Sequence, residues 1–281
     1  GTRPAFSGAF AEYGEEFRKG ADACLAAANA KGGVFGREVR IEYMDDGYEP
    51  ARTVANAREL ARRGAVAMVN FVGTGGLQAL RQVLEELGVP MIGNSSGASQ
   101  VRELARQGSR WVYHTKASYS DEFEGLARLL PTIGMSKALL VYQDNAFGRA
   151  AFESARAAFS RDGAQAPSVN MGNSDESLGP AVAAAVRQRP DVVVLVAAGT
   201  LAPEFIAKYQ AEAGPRGRVA VISVVGGRNL KSRLESRIAG IMLASACAIM
   251  RKMFSLTGIR SKEARMSPVV VSGSINGSLA T

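Results

Sequence analysis

The sequence predicts an α/β fold of two Rossmann-like lobes, each a parallel sheet flanked by helices, facing each other across a central ligand cleft. Three observations carry this. Short apolar runs alternate with amphipathic helical stretches along most of the 281 residues. The alternation falls into two blocks, one ending near Lys116 and one running from about Tyr119 to Gly240. A short polar stretch, "HTKASYSDEF", joins the two. Strands that alternate with helices at this spacing build right-handed βαβ units and parallel sheets.

In chain order, the strand candidates are Val39–Tyr43, Ala65–Val72, Val89–Ile92, Trp111–His114, Ala138–Tyr142, Val192–Ala197, Val219–Ser223 and Ile241–Ala244. Phe17, Ala21, Cys24, Leu25 and Ala28 form an apolar stripe at helical spacing, which places Cys24 as a buried thiol. Pro50 opens the next helix, where its missing N–H costs little, and Val54, Ala57, Leu60 and Ala61 form the buried side. Ser120 or Asp121 stands where a cap is needed for the helix after the crossover. Ligands of open parallel sheets sit at the carboxyl ends of strands. The segments to inspect are therefore 72–76, 93–98, 143–148, 197–200 and 224–227.

Composition excludes several classes of function. Hydrophobic residues make up 47% and charged ones 21%, an ordinary globular balance. The longest apolar stretch, 238–250, is shorter than the roughly 18 residues of a membrane helix and is closed by Arg251 and Lys252. The formal charge of +8 is spread over helix faces such as "RELARR" and "RELARQGSR", with no basic block among aromatics. That describes a solvated surface rather than a nucleic-acid interface. Cys24 and Cys247 stand in no metal-like spacing, and the single histidine, His114, has no ligand partner at helical spacing. His114 is expected to be structural, and no metal or cofactor is expected. With no nucleophile–base pair in view, no catalytic residue is expected either.

Two loops remain. "NFVGTGGLQAL" joins a strand to a helix through Gly73, Thr74, Gly75 and Gly76. It lacks the lysine and hydroxyl of a phosphate loop and the glycine spacing of a dinucleotide fingerprint. Its small residues let a ligand approach the backbone, helix-start N–H groups attract an anion, and Thr74 adds a hydroxyl. "VPMIGNSSGAS" repeats the arrangement with Asn94, Ser95, Ser96 and Gly97. Either loop alone is an ordinary strand-to-helix turn. As a pair on neighbouring strand ends, they point to a carboxylate held between them.

The order and spacing of "SGAFAEYG", "ANAKGGVFG", "YMDDGYEP", "PMIGNSSGAS" and "YQDNAFGRAAFE" resemble the type 1 periplasmic binding proteins. The likeness runs from about Arg3 to Gly240 and is closest to the leucine/isoleucine/valine-binding proteins of ABC importers and their amide- and aromatic-acid-binding relatives. It implies two lobes that close on a small solute and a monomer that docks, loaded, on a membrane permease in the periplasm. It places Tyr13 at the cleft border, Thr74 on the ligand carboxylate, Ser95 and Gly97 in the second carboxylate loop, and Phe147 against the ligand from the second lobe. Amino-acid-binding relatives hold the ammonium with two acids. By spacing those positions are Tyr119 and Val225 here, so a carboxylate with an apolar or aromatic body is expected rather than an ordinary α-amino acid.

The resemblance also implies lobes of residues 1–117 with about 245–281, and 118–244. Only "GTRPAF" precedes "SGAFAEYG", without a signal peptide, and "SPVVVSGSINGSLAT" resembles the segment that returns to the first lobe. A chain shortened at both ends is the expectation. The rival reading is a ligand-sensing domain or an enzyme on the same scaffold, because a fold does not fix a function. A transcriptional sensor would carry a helix-turn-helix before the first lobe, and none is visible.

Overall fold

The computed structural model describes residues 11–81, 83–106, 109–160, 166–225 and 241–243. In chain order these form α1 (Ala11–Ala30), α2 (Pro50–Arg62), β1 (Met68–Val69), α3 (Thr74–Leu80), α4 (Leu84–Leu87), β2 (Met91–Ile92), α5 (Ser99–Arg106) and β3 (Val112–Tyr113). There follow α6 (Tyr119–Thr132), β4 (Ala138–Gln143), α7 (Ala146–Phe159), β5 (Ser168–Met171), α8 (Leu178–Gln188), β6 (Val192–Val196), α9 (Leu201–Ala213), β7 (Val219–Val221) and β8 (Ile241–Leu243).

Two parallel sheets result, as the alternation predicts. The first has the order β1-β2-β3, with Met68 opposite Met91 and Met91 opposite Val112. The second has the order β5-β4-β6-β7-β8. Its centre is buried on both faces, as a parallel sheet requires. Leu140, Val192, Val194 and Val196 join one apolar cluster, which continues through Phe147 and Tyr119 to Met91, Leu80 and Ala57. Leu139, Val141, Val193 and Leu195 point the other way, onto Val182 of α8 and Phe205 of α9. Successive strand residues thus serve opposite faces.

Several elements differ from the sequence expectation. The strands of the first sheet shrink to two residues each, because left-handed backbone at Asn70 (φ 52°) and Gly93 (φ 70°) ends β1 and β2. Val39–Tyr43 forms no strand among the described residues. The Asn29 side chain takes both backbone groups of Val39, donating to its O and accepting from its N at 2.9 Å each. β5 is an addition, an edge strand whose residues are mostly exposed or half-exposed. Cys24 is exposed rather than buried, although Phe17, Ala21, Leu25 and Ala28 of the same stripe are half-buried. The α6 cap is Ser118, not Ser120 or Asp121. Ser118 Oγ accepts from Asp121 N at 3.0 Å and Asp121 Oδ2 accepts from Ser118 N at 3.2 Å, a closed capping box. Cys247, Ala244 and the segment 245–281 lie outside the described residues.

Candidate functional site

The carboxyl ends of both sheets meet across the crossover between β3 and α6. From the first sheet come the 70–76 and 93–98 loops, and from the second come Phe147 on α7 and the turn after β7. Thr74 and Ser96 are fully buried, and their hydroxyl oxygens lie 2.9 Å apart. The Tyr119 phenol lies beside them, close enough that both hydroxyls act on its titration. Burial raises the pKa of Tyr119 against the opposing pull of those hydroxyls, so the phenol stays a protonated donor at neutral pH. The Phe147 ring stands edge-on to Tyr119, with centroids 5.8 Å apart and planes at 72°.

Two glycines make this approach possible. A Cβ on Gly97 would lie 2.6 Å from the Tyr119 ring and 2.7 Å from its backbone N. Gly73 caps α3 with φ 99°, and a Cβ there would lie 2.4 Å from the ring of Tyr48. Tyr48 itself adopts a left-handed φ of 66°, fixed by Asp46, whose carboxylate accepts from Tyr48 N at 2.9 Å and from Thr53 Oγ1 at 2.8 Å.

Ser95 faces another way. Its hydroxyl is 2.6 Å from the Tyr13 phenol of α1 and donates to Asn70 Oδ1 at 2.6 Å. These residues line a cavity of about 640 Å³ between α1 and the first sheet, whose wall also includes Asn94, Lys116 and Ser223. A second cavity, of about 430 Å³ beside Lys137 and Asp191, lies at the amino ends of β4 and β6, the end away from the loops that bind ligands in such sheets.

Thus Gly73, Thr74, Ser96, Gly97, Tyr119 and Phe147 come together, while Tyr13 and Ser95 form an adjoining pair. Val225 sits in the turn after β7, donating its N–H to Ile222 O at 2.9 Å and packing on both apolar clusters. No described contact joins it to the hydroxyl group. Sequence reasoning named Asn94 only as part of a donor-rich loop, and it missed Tyr48, Asn70 and an ionic group at the crossover. There Glu122, fully buried, accepts from Lys116 Nζ at 3.0 Å, from Ser223 Oγ at 2.8 Å and from Ser223 N at 2.7 Å. Lys116 also donates to Ser223 Oγ. The available signal was a lysine and a glutamate inside the crossover stretch, which the sequence shows only as a short polar join. Among the described residues, no group of three or more His, Cys, Asp or Glu side chains could hold a metal, and no helix is long and apolar enough to cross a membrane.

The sequence of the whole two-sheet unit matches one family model, described as periplasmic binding protein, over residues 4–248. This chain belongs to that family. It is 26% identical over 164 residues to the Leu/Ile/Val-binding protein homolog 3 of Brucella melitensis biotype 1, a match that covers 58% of this chain and 44% of the relative. It is 27% identical over 145 residues to the Leu/Ile/Val-binding protein of Escherichia coli K12, covering 51% of this chain and 39% of the relative. The matches therefore span less than half the length of these periplasmic-binding-family relatives. Among solved structures, a substrate-binding periplasmic protein from Ralstonia solanacearum superposes with a TM-score of 0.75 at 26% identity, over 85% of this chain and 68% of the other. The family is one of solute-binding proteins and not of enzymes.

Proposed function

We propose that this chain is the solute-binding component of an ABC importer, working outside the cytoplasm as a monomer. It takes a small carboxylate with an apolar or aromatic body between its lobes and presents it to a membrane permease. The observation that supports this best is the desolvated trio of Thr74, Ser96 and Tyr119 beside the Phe147 ring. Three hydroxyl donors suit a carboxylate, which accepts several hydrogen bonds and gives none. Removed from water, such bonds strengthen. The ring edge of Phe147 and the wall of Tyr119 suit an apolar or aromatic body.

The same residues argue against a buried α-ammonium. Asp121 is engaged in the α6 capping box. The buried carboxylates Asp46 and Glu122 are met by Thr53 and Tyr48 N, and by Lys116 and Ser223. A buried ammonium without a carboxylate keeps its full desolvation penalty. The ligand therefore lacks a free ammonium or turns it toward water.

Replacing Thr74 by Val removes one hydroxyl at nearly constant volume. Affinity for the cognate acid, measured by calorimetry, is expected to fall by about 1.5–3 kcal/mol, the worth of a hydrogen bond to a charged group. An unchanged dissociation constant rules out the Thr74 contact. A thermal-shift screen of leucine, valine and phenylalanine against their keto-acid or aryl-acid counterparts tests the ammonium. Stabilisation by the amino acids alone would reverse that part of the reading.

A further inference from the structure

The carboxylate contacts above leave two amides unexplained. Asn70 follows β1 and Asn94 follows β2 on the neighbouring strand, where Asn70 N donates to Ile92 O at 3.0 Å. Asn70 is 5% exposed and Asn94 0%. Asn70 Oδ1 accepts from Ser95, yet Asn70 Nδ2, Asn94 Nδ2 and Asn94 Oδ1 have no hydrogen-bond partner. Both residues line the cavity of about 640 Å³ behind α1. Buried polar atoms are rarely left unmet, and those at the carboxyl ends of parallel strands stand where ligands bind. Exchanging the O and N of Asn94 changes nothing, because both are unmet.

The unmet set defines a chemistry. It comprises two amide NH2 groups and one carbonyl acceptor. A second carboxylate would serve the donors and leave Asn94 Oδ1 facing another acceptor. A hydroxyl or a carboxamide offers a donor and acceptors together. Lys116, on the same wall, is already neutralised by Glu122 at 3.0 Å and calls for no further negative charge. Phe17, Val69 and Ile92 supply apolar surface beside the amides.

We infer that Asn70 and Asn94 form a second recognition point, specific for a neutral hydroxyl or carboxamide group of the ligand. The inference rests on the reading of a cleft-bound acid and narrows it to an acid that carries such a group as well as its apolar body. Asn70 and Asn94 then select among acids, while Thr74 and Ser96 hold the carboxylate common to all of them.

Calorimetry on the full chain compares benzoate, the 3- and 4-hydroxybenzoates and benzamide as probes, with wild type, Asn94→Leu and Asn70→Gly. Glycine is chosen at position 70 because it tolerates the left-handed φ of 52° there. Wild type is expected to bind one of the hydroxybenzoates about ten- to a hundredfold more tightly than benzoate. Each variant is expected to lose that preference while its affinity for benzoate stays within about twofold. Equal binding of benzoate and both hydroxybenzoates by wild type, or a preference retained in the variants, overturns the inference. If Asn94→Leu does not fold, Asn70→Gly decides alone. If no acid binds but benzamide binds wild type and neither variant, the carboxylate reading falls and the amide site stands. If none of the probes binds wild type, both fall.

Discussion

His114 follows β3 and lies half-buried against α5. Burial lowers its pKa first, the nearby Arg102 guanidinium lowers it further, and a contact with the Val101 backbone opposes them. The fold therefore favours the neutral ring. Stability from this group is full above the unfolded value of about 6.5 and is lost as pH falls from there through the lowered folded value. Melting temperatures between pH 5 and 8 should decline on the acid side of about 6.5, and His114→Gln should flatten that part of the profile. A slope unchanged in the variant would assign it to other groups. The sequence shows His114 as lone and structural, and nothing in it distinguishes a solvated ring from a desolvated one. Gly97 was legible as a small residue in a donor-rich loop. Its physical reason, a Tyr119 ring that would stand 2.6 Å from any Cβ, depends on a tertiary approach that no local pattern encodes. Cys24 was misread for a related cause. A helical stripe gives the direction of the apolar face but not how deeply it is covered, and α1 is covered shallowly.

At the level of elements, the crossover between β3 and α6 carries more than its polarity suggested. Ser118 and Asp121 close the start of α6, and one residue later Glu122 turns inward to Lys116 and Ser223. The ion pair links the crossover to the turn after β7, and the Lys116 side chain retains 19% exposure. Removing one partner of a buried pair leaves an uncompensated charge and typically costs 3–5 kcal/mol, whereas removing both can be nearly neutral. Lys116→Met is expected to destabilise by about 3 kcal/mol, the lower end because Lys116 is partly solvated. Lys116→Met with Glu122→Gln should recover most of that in urea denaturation. Additive losses would show that the two side chains act independently. Elements with continuous β-branched runs, such as Val192–Val196, were read nearly to the residue, because burial on both faces leaves an unbroken apolar string. β5 was not, since an edge strand of the sequence "SVNM" has one deeply buried position and little pattern to read. Val39–Tyr43 has the right residue types for a strand, but the Asn29 amide takes the backbone groups of Val39, and of the segment only Tyr43 forms a β-bridge.

For the whole molecule, two parallel sheets and the position of their carboxyl ends follow from alternation alone, while the arrangement between them does not. The boundaries 1–117 with about 245–281, and 118–244, stand as a proposal, since the returning segment lies outside the described residues. Between the sheets the described contacts are those of a shut cleft. Thr74, Ser96, Tyr119 and Phe147 are all at most 2% exposed, and a Cβ built on Gly75 of α3 would lie 3.5 Å from Ala146 Cβ of α7. A carboxylate can reach Thr74 and Ser96 only if these surfaces part, so binding and lobe movement are coupled. The shut form buries Asn70 and Asn94 with amide atoms unmet, a penalty that water relieves when the lobes open and a ligand relieves when they close. The ligand-free chain should therefore favour the open form in solution, and a ligand that meets those groups should shift the population by its differential affinity for the closed one. Small-angle scattering of the free chain should give a larger radius of gyration than the shut arrangement, falling at saturating ligand. The short crossover at 114–118 gives the movement a place to occur with few covalent constraints. Identical scattering profiles with and without a ligand whose binding calorimetry has established would mean that the cleft admits it without parting, and that Tyr119 and Phe147 yield by side-chain rotation alone.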